Sequence, residues 1–468
     1  MPVGDLLPEL LLLVGAIGVL LVALFTPRRF QPALVWLSLA VVAAATLATL
    51  AQLGRGEGLT FFNTWALDGT AVAAKLIVLA SAALVVAMTP QWFRSDHRAG
   101  EYQTMLLFAT LSGAVLASAS DLLELTVGLL LSSVTGYVLT AYHRRSKEAA
   151  EAAVKYYLLG ALANATFLYG VLLLFGLSGS TTYPAVAAAL PAADRLGVIA
   201  ALVLAAIGLV FKVGAAPVHA WVPDVAQGAP APSAAFLMVV PKVAGMVAIL
   251  RFAALFVDTG IGWRPLLALL AAVTMTLGNL AALWQDDLRR LLGWSAVSQT
   301  GYALMAPVAL GRSDLAIASL LLFLAAYAAA TLAAFGVVVE LRGRTAIADY
   351  AGLARARPWL YAALVLAFLS MVGIPPLGGF AGKVALFAAT IDAGYAWLAL
   401  LAVVNTAVSL FYYVRVIGPG YTDPGPAEVP VLGRSSAVAV TLATVAVVAI
   451  GVAAQPLLEI FGSASLLP

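Results

Sequence analysis

The sequence has no cysteine, only three histidines, and few charges: Asp, Glu, Lys and Arg make up 10% of its 468 residues. Without cysteine, this chain can form no disulfide, thiolate metal site or iron–sulfur ligation. The histidines are His97, His143 and His219, and only the last lies in strongly apolar sequence, so a haem held by paired intramembrane histidines is excluded. Soluble domains carry about 25% charged residues, and the charge here is too sparse to cover a water-soluble body of this size. A soluble enzyme, a nucleic-acid binder and a disordered chain are therefore excluded. The net charge of +3 points to no acidic partner.

What the chain has in abundance is apolar sequence, at 63% of its residues. Apolar runs of about 20 residues, the length that spans a bilayer, recur along its length. They predict an all-α polytopic membrane protein of about fourteen transmembrane helices, near residues 4–26, 33–53, 69–89, 102–119, 121–142, 153–177, 195–214, 229–257, 263–284, 288–309, 314–340, 358–390, 394–416 and 435–457. Residues 1–25 lack a basic start and carry Asp5 and Glu9, so they are read as a retained first helix and not a signal peptide. The longest polar stretches, near residues 54–68, 340–358 and 419–434, leave no room for a soluble domain.

Basic residues favour the odd-numbered loops by about 16 to 5, the minority being Arg55, Arg195, Arg251, Arg264 and Arg312. The positive-inside rule then places both termini outside the cytoplasm.

Four lysines, Lys75, Lys212, Lys242 and Lys383, fall within apolar stretches. An intramembrane lysine costs on the order of 2.5–3.5 kcal/mol, so it faces the bundle interior, water or a partner, unless its stem lies along lipid and the ammonium reaches the headgroups. Lys75 lies near a helix start and suits either snorkelling or a structural pairing. Lys242 follows Pro241 and is too deep for easy snorkelling. Lys212 and Lys383 each adjoin a break, in Phe211–His219 (FKVGAAPVH) and Gly373–Lys383 (GIPPLGGFAGK). Proline removes a backbone donor and frees carbonyls, and unwound backbone at membrane depth is tolerated only inside protein or beside a hydrated cavity.

The breaks fall on the seventh and twelfth spans. Five helices separate them, so the units that carry them face opposite ways, and matched interruptions of this kind point to a transport path. The expected division is a three-helix segment at 1–100, inverted five-helix units at 101–258 and 259–418, and a last helix at 419–468. Lysines balanced between burial, which disfavours the ammonium, and polar company suit a proton relay. His219 titrates near neutrality and suits a bridge between hydrated segments. Its bland alternative is a neutral imidazole bonded to a freed carbonyl.

Several motifs resemble the antiporter-like membrane subunits of respiratory complex I. They are Phe211–Pro232 (FKVGAAPVHAWVPDVAQGAPAP) with Pro241-Lys242-Val243-Ala244, Asn279–Met305 (NLAALWQDDLRRLLGWSAVSQTGYALM), and Phe368–Lys383 (FLSMVGIPPLGGFAGK). Leu7-Pro8-Glu9, Ala117–Leu123 (ASASDLL) and Glu151–Gly170 (EAAVKYYLLGALANATFLYG) are most similar to the subunit N type. The length agrees, since the longer subunit L type has an extra lateral helix with no counterpart here.

The resemblance implies a fourteen-helix proton-translocating subunit in the membrane arm of a bacterial NADH:quinone oxidoreductase, in the inner membrane beside other antiporter-like and small subunits. This chain would hold no cofactor; NADH, FMN, iron–sulfur clusters and quinone would belong to partner subunits. By match, Lys212, Lys242 and Lys383 are the seventh-, eighth- and twelfth-helix lysines of the relay, and His219 also matches.

The chain departs from the family at Gly128-Leu129-Leu130-Leu131-Ser132, where Leu130 occupies the position of a glutamate that pairs with the seventh-helix lysine. Glu124, six residues earlier, is the carboxylate left as a possible substitute acid. Gln299 stands where relatives often have histidine. Two other functions remain open: a subunit of a multisubunit cation/proton antiporter, and a non-pumping structural paralogue, which Leu130 favours.

Overall fold

The computed structural model describes residues 3–94, 96, 98–342, 344–424 and 433–467; His97 lies outside them. The chain is a multi-pass helical membrane protein. An N-terminal segment comprises α1 (Leu7–Phe25), α2 (Leu34–Gln52) and α3 (Gly69–Trp92), with a small hairpin of β1 (Gly58–Thr60) and β2 (Trp65–Leu67) between the last two. Next come α4 (Ala99–Ser118), α5 (Leu122–Thr140), α6 (Lys147–Ser178), short α7 (Tyr183–Ala189), α8 (Arg195–Val213), α9 (Trp221–Gly228) and α10 (Ala231–Ala254). The second half runs through α11 (Trp263–Ala282), α12 (Leu288–Ala303), α13 (Met305–Ala309), α14 (Leu315–Glu340), α15 (Leu353–Ala356), α16 (Pro358–Val372), α17 (Gly378–Asp392) and α18 (Ala396–Thr422). The chain closes with α19 (Arg434–Val452) and α20 (Ala454–Gly462).

Helix dominates because lipid offers no hydrogen bonds and each span must satisfy its backbone internally. Helix starts are set by acidic and hydroxyl caps: Asp68 accepts from Ala71 N, Asp121 from Leu123 N and Glu124 N, Asp194 from Gly197 N and Asp287 from Arg290 N. Among the described residues, 11 helices are long and apolar enough to cross a membrane. The expected spans at 102–119, 288–309 and 358–390 correspond to α4, to α12 with α13, and to α16 with α17. These helices are less apolar or broken, so length and composition alone do not count them.

Burial shows which helices form the centre. The most apolar window of α10 is 100% buried and that of α14 is 83% buried, against 33% for α1, α2 and α19. α10 packs on α3, α4, α8 and α14, and α14 packs in turn on α16, α17 and α19. On α5, in contrast, Leu123, Val127, Leu130, Val134 and Val138 form an exposed apolar stripe at helical spacing.

Two buried ion pairs brace one end of this bundle. Glu9 of α1 meets Lys75 of α3 at 2.8 Å, with both side chains buried. Lys75 is therefore a paired lysine and does not snorkel. Arg251, in the last turn of α10, donates to both oxygens of Asp68 at 2.7 and 3.1 Å and to Ala117 O at 3.2 Å. Asp68 also accepts from Leu467 N at 2.9 Å, and Leu467 O accepts from Arg251, so the segment after α20 docks onto this pair. Removing one partner of such a buried pair costs about 3–5 kcal/mol.

Candidate functional site

Both sequence-predicted breaks are present, and each begins at a glycine in the left-handed region. α8 ends at Val213 and its C-cap Gly214 has φ 73°; α16 ends at Val372 and its C-cap Gly373 has φ 97°. Ending a helix inside the membrane leaves its last carbonyls without intrahelical donors. Local donors take some of them: Gly214 N and Trp221 Nε1 reach Phe211 O, each at 3.0 Å, and Gly373 N and Ile374 N reach Leu369 O, each at 3.0 Å. Three others, Val213 O, Met371 O and Val372 O, accept from buried lysines.

Lys242, on the fully buried α10, donates to Val213 O at 2.8 Å, to Ala296 O at 3.0 Å and to Thr300 Oγ1 at 2.9 Å. Thr300 in turn donates towards Val213 O or Ala296 O, each at 2.9 Å. One ammonium thus ties the end of α8 to α12. Lys383, in the second turn of α17, reaches back across its own break to Met371 O at 2.8 Å and Val372 O at 3.1 Å. The partial negative charge at the end of α16 suits that ammonium. The ammonium also lies 4.2 Å from the centroid of the Tyr302 ring, within cation–π range.

A short polar line joins these two groups. Gln299 and Thr300 are adjacent on α12; Thr300 meets Lys242, and Gln299 Nε2 donates at 3.1 Å to Met371 O, the carbonyl that Lys383 also uses. Beside it lies a void of about 10 Å³, whose lining includes Gln299, Tyr327, Ser370, Met371 and Lys383. Tyr327 spans from α14 to α10 by donating to Met238 O at 2.7 Å.

Lys212 is fully buried in the last turn of α8 and donates to Ser133 Oγ of α5 at 3.1 Å. Among the described residues no carboxylate lies within ion-pair distance of Lys212, Lys242 or Lys383. The three lysines are 0%, 2% and 2% exposed, so none reaches for the bilayer surface. Val213, which follows Lys212, carries the carbonyl bound by Lys242, and the seam therefore continues from one lysine to the next through backbone.

Glu124 requires a correction. It accepts from Thr64 Oγ1 at 2.6 Å, in the turn of the β1–β2 hairpin. Ser133, which holds Lys212, lies nine residues along α5, about 13–14 Å at 1.5 Å per residue. Glu124 belongs to that hairpin contact and is no substitute partner for Lys212. Leu130 is 38% exposed on the outward stripe of α5. The His219 ring packs on Trp294 with centroids 5.5 Å apart, and its Nδ1 is buried without a partner. No hydrogen bond joins it to any of the lysines among the described residues.

Sequence reasoning missed Ser133, Thr300, Tyr302 and Tyr327. Hydroxyl residues are ordinary in membrane helices, and the only signal was that Thr300 and Tyr302 follow Gln299 within one motif.

The model of the NADH:quinone oxidoreductase/Mrp antiporter transmembrane family matches residues 119–409, which include Ser133, the three seam lysines and Gln299. The chain is 42% identical over 412 residues to NADH-quinone oxidoreductase subunit N of Mycobacterium sp. (strain JLS), covering 87% of each. To subunit N of Rhizorhabdus wittichii it is 38% identical over 463 residues, covering 97% of this chain and 95% of the relative. Among solved structures, a chain of respiratory complex I from Thermus thermophilus matches with a TM-score of 0.84 at 33% identity, over 97% of this chain and 98% of that one. A chain of the Mrp complex from Dietzia sp. DQ12-45-1b shares the fold, with a TM-score of 0.84 at 20% identity over 99% and 97% of the two chains.

Proposed function

This chain belongs to the NADH:quinone oxidoreductase/Mrp antiporter transmembrane family, among the NADH-quinone oxidoreductase subunits N, and on that premise we propose that it translocates protons in a respiratory complex. In this reading it sits in the membrane arm, in a bacterial inner membrane, beside other antiporter-like and small membrane subunits. NADH, FMN, iron–sulfur clusters and quinone belong to partner chains. Fourteen crossings, two inverted five-helix units and termini outside the cytoplasm complete the proposal.

The observation that carries the reading is the buried seam from Lys242 through Thr300 and Gln299 to Lys383. Each residue type has a distinct part. Carbonyls stabilise an ammonium but cannot pass its proton on, so Val213, Ala296, Met371 and Val372 hold charge in place. The Thr300 hydroxyl can both accept and donate, and so it is the group beside Lys242 that can relay a proton. Gln299 orients the Met371 carbonyl towards Lys383. A signal from the redox part of the complex would act by changing which carbonyls each ammonium meets, since that balance sets whether the lysine keeps its proton. His219, half-buried beside Trp294, would serve as a side branch.

The test is the intact complex in proteoliposomes, read as protons moved per NADH oxidised. Lys242→Ala and Lys383→Ala should each lower electron transfer and lower pumping further, so that the ratio falls; a normal ratio in both variants overturns the proposal. The likeness to an Mrp chain supports a second reading, a cation/proton antiporter component. Sodium-dependent proton flux without a redox donor would favour it. The exposed Leu130 supports a third, a non-pumping paralogue, for which the ratio would not respond to any of the lysines.

A further inference from the structure

Where the end of α14 meets the starts of α16 and α19, the packing leaves a cavity of about 340 Å³. The void beside the lysine seam, at about 10 Å³, has room for about one water. The larger cavity reaches the size of ligand pockets, roughly 300–1,000 Å³. Leu360, Ala437 and Val440 give it apolar walls, and Glu340 and Arg357 line it with one charge of each sign. Glu340 is the last residue of α14 and only 2% exposed, and Ser436 of α19 donates to its carboxylate. Arg357 is exposed and directly precedes Pro358, the first residue of α16. Trp359, which also lines the cavity, is 57% exposed and donates from its indole nitrogen to Thr441 Oγ1 of α19 at 3.3 Å.

The ends of spans lie at the level of the lipid headgroups. Tryptophan is enriched there because its ring is apolar and its N–H polar, and basic pockets between spans bind phospholipid headgroups. A guanidinium has five N–H donors, so Arg357 can serve a phosphate beside a protein partner. The carboxylate decides the class of lipid. An anionic headgroup would bring its net negative charge against Glu340. A zwitterionic headgroup with a primary ammonium instead sets phosphate on Arg357 and N–H donors on Glu340, and both charges in the crevice are matched.

We propose that this crevice is a binding site for an aminophospholipid of the phosphatidylethanolamine class. Its phosphate meets Arg357, its ammonium meets Glu340, and an acyl chain runs along Leu360, Ala437 and Val440. Trp359 bridges α16 to α19 beside the chain and gives it a flat apolar surface. The site shares no lining residue with the void beside the seam, and it holds whether or not this chain moves protons.

The experiment uses the whole complex in phosphatidylcholine vesicles that contain a trace of phosphatidylethanolamine with a photoactivatable acyl chain, and maps the cross-linked peptides. Labelling is expected within residues 356–360 and 437–441. Arg357→Gln, at an exposed position, should lower it about tenfold, the loss of one charge-assisted contact, and Ala437→Phe should lower it by filling the crevice. Probes of phosphatidylglycerol, which is anionic, and of phosphatidylcholine, whose quaternary ammonium has no N–H, should each label these segments several-fold less. Glu340→Gln should narrow the preference over phosphatidylglycerol; should that variant fail to assemble, the comparison of the three probes on the native complex still decides. No labelling of these segments, or labelling that Arg357→Gln leaves unchanged, overturns the site. Equal labelling by all three probes overturns it too, since any boundary lipid would then serve. Stronger labelling by phosphatidylglycerol replaces the aminophospholipid with an anionic lipid and overturns the role of Glu340.

Discussion

At the first interruption α8 ends on Gly214, and at the second α16 ends on Gly373; both glycines have positive φ and both leave carbonyls inside the membrane. The carbonyls are answered from different places. Val213 O is taken by Lys242 from another helix, with Thr300 as a second donor, whereas Met371 O and Val372 O are taken by Lys383 from the half-helix just beyond the same break. The first break is a joint between three helices, and the second is largely closed on itself. The glycines reflect this difference. A Cβ at Gly214 would lie 3.3 Å from Lys242 Nζ and collide with Val222, whereas one at Gly373 would lie 3.2 Å from the mid-stem carbon Lys383 Cδ. The lesson is that similar interruptions in one chain can hold their ammonium groups in unequal ways.

The largest expected effect is at the joint. Lys242→Met should abolish the pumping contribution of this chain and, by leaving Thr300 as the one side chain that ties Val213 O to α12, cost about 1–3 kcal/mol. Lys383→Met should abolish pumping as well, with a smaller loss of stability because Lys383 has two hydrogen bonds, both to the helix end just before its own break, whereas Lys242 has three that tie separate helices together. Thermal unfolding of the purified complexes compares the two; equal losses would break the distinction between the joints.

Gly214→Ala should come next, costing about 2–3 kcal/mol, and Gly373→Ala less, about 1–2 kcal/mol, since both force a Cβ into left-handed backbone but only the first also strikes Val222. The same unfolding measurement ranks them, and a reversed order would contradict the packing described for the first break.

Gln299→Leu is predicted to lower protons moved per NADH several-fold without loss of assembly, while Gln299→His, which keeps a donor, retains most of the ratio. Normal pumping by the leucine variant would mean that the two breaks work independently.

Leu130→Glu should have the smallest effect, less than about twofold on the same ratio, because the position lies on the outward stripe of α5, whereas Ser133, which holds Lys212, faces inward. A gain larger than that would mean that Lys212 works better with a carboxylate than with Ser133 alone.

Both breaks, the burial of the lysines and the helical class were legible in the sequence, because proline, glycine and charge stand out against apolar runs and each has a steep energetic consequence in lipid. Partners were less legible. Lys75 left two readings open, and Glu9, 66 residues earlier in the chain, decides between them. Glu124 was the carboxylate that α5 offered as a possible substitute for the one missing at Leu130, yet the β1–β2 hairpin engages it through Thr64. Ser133 and Thr300 gave no signal of their own, since a hydroxyl in a helix most often bonds back to its own preceding turn, as Ser133 also does with Leu129 O at 2.8 Å.

The order of residues by itself determined that the chain must lie in a membrane, where its helices stop, and which few cations must be hidden from lipid; these follow from transfer costs and from the loss of a backbone donor at proline, which are local properties. Only tertiary structure decided which acceptor each hidden cation would meet. Hydrogen bonds act over about 3 Å, and the groups that meet at Lys242 and Lys383 come from segments up to 72 residues apart that packing alone brings together.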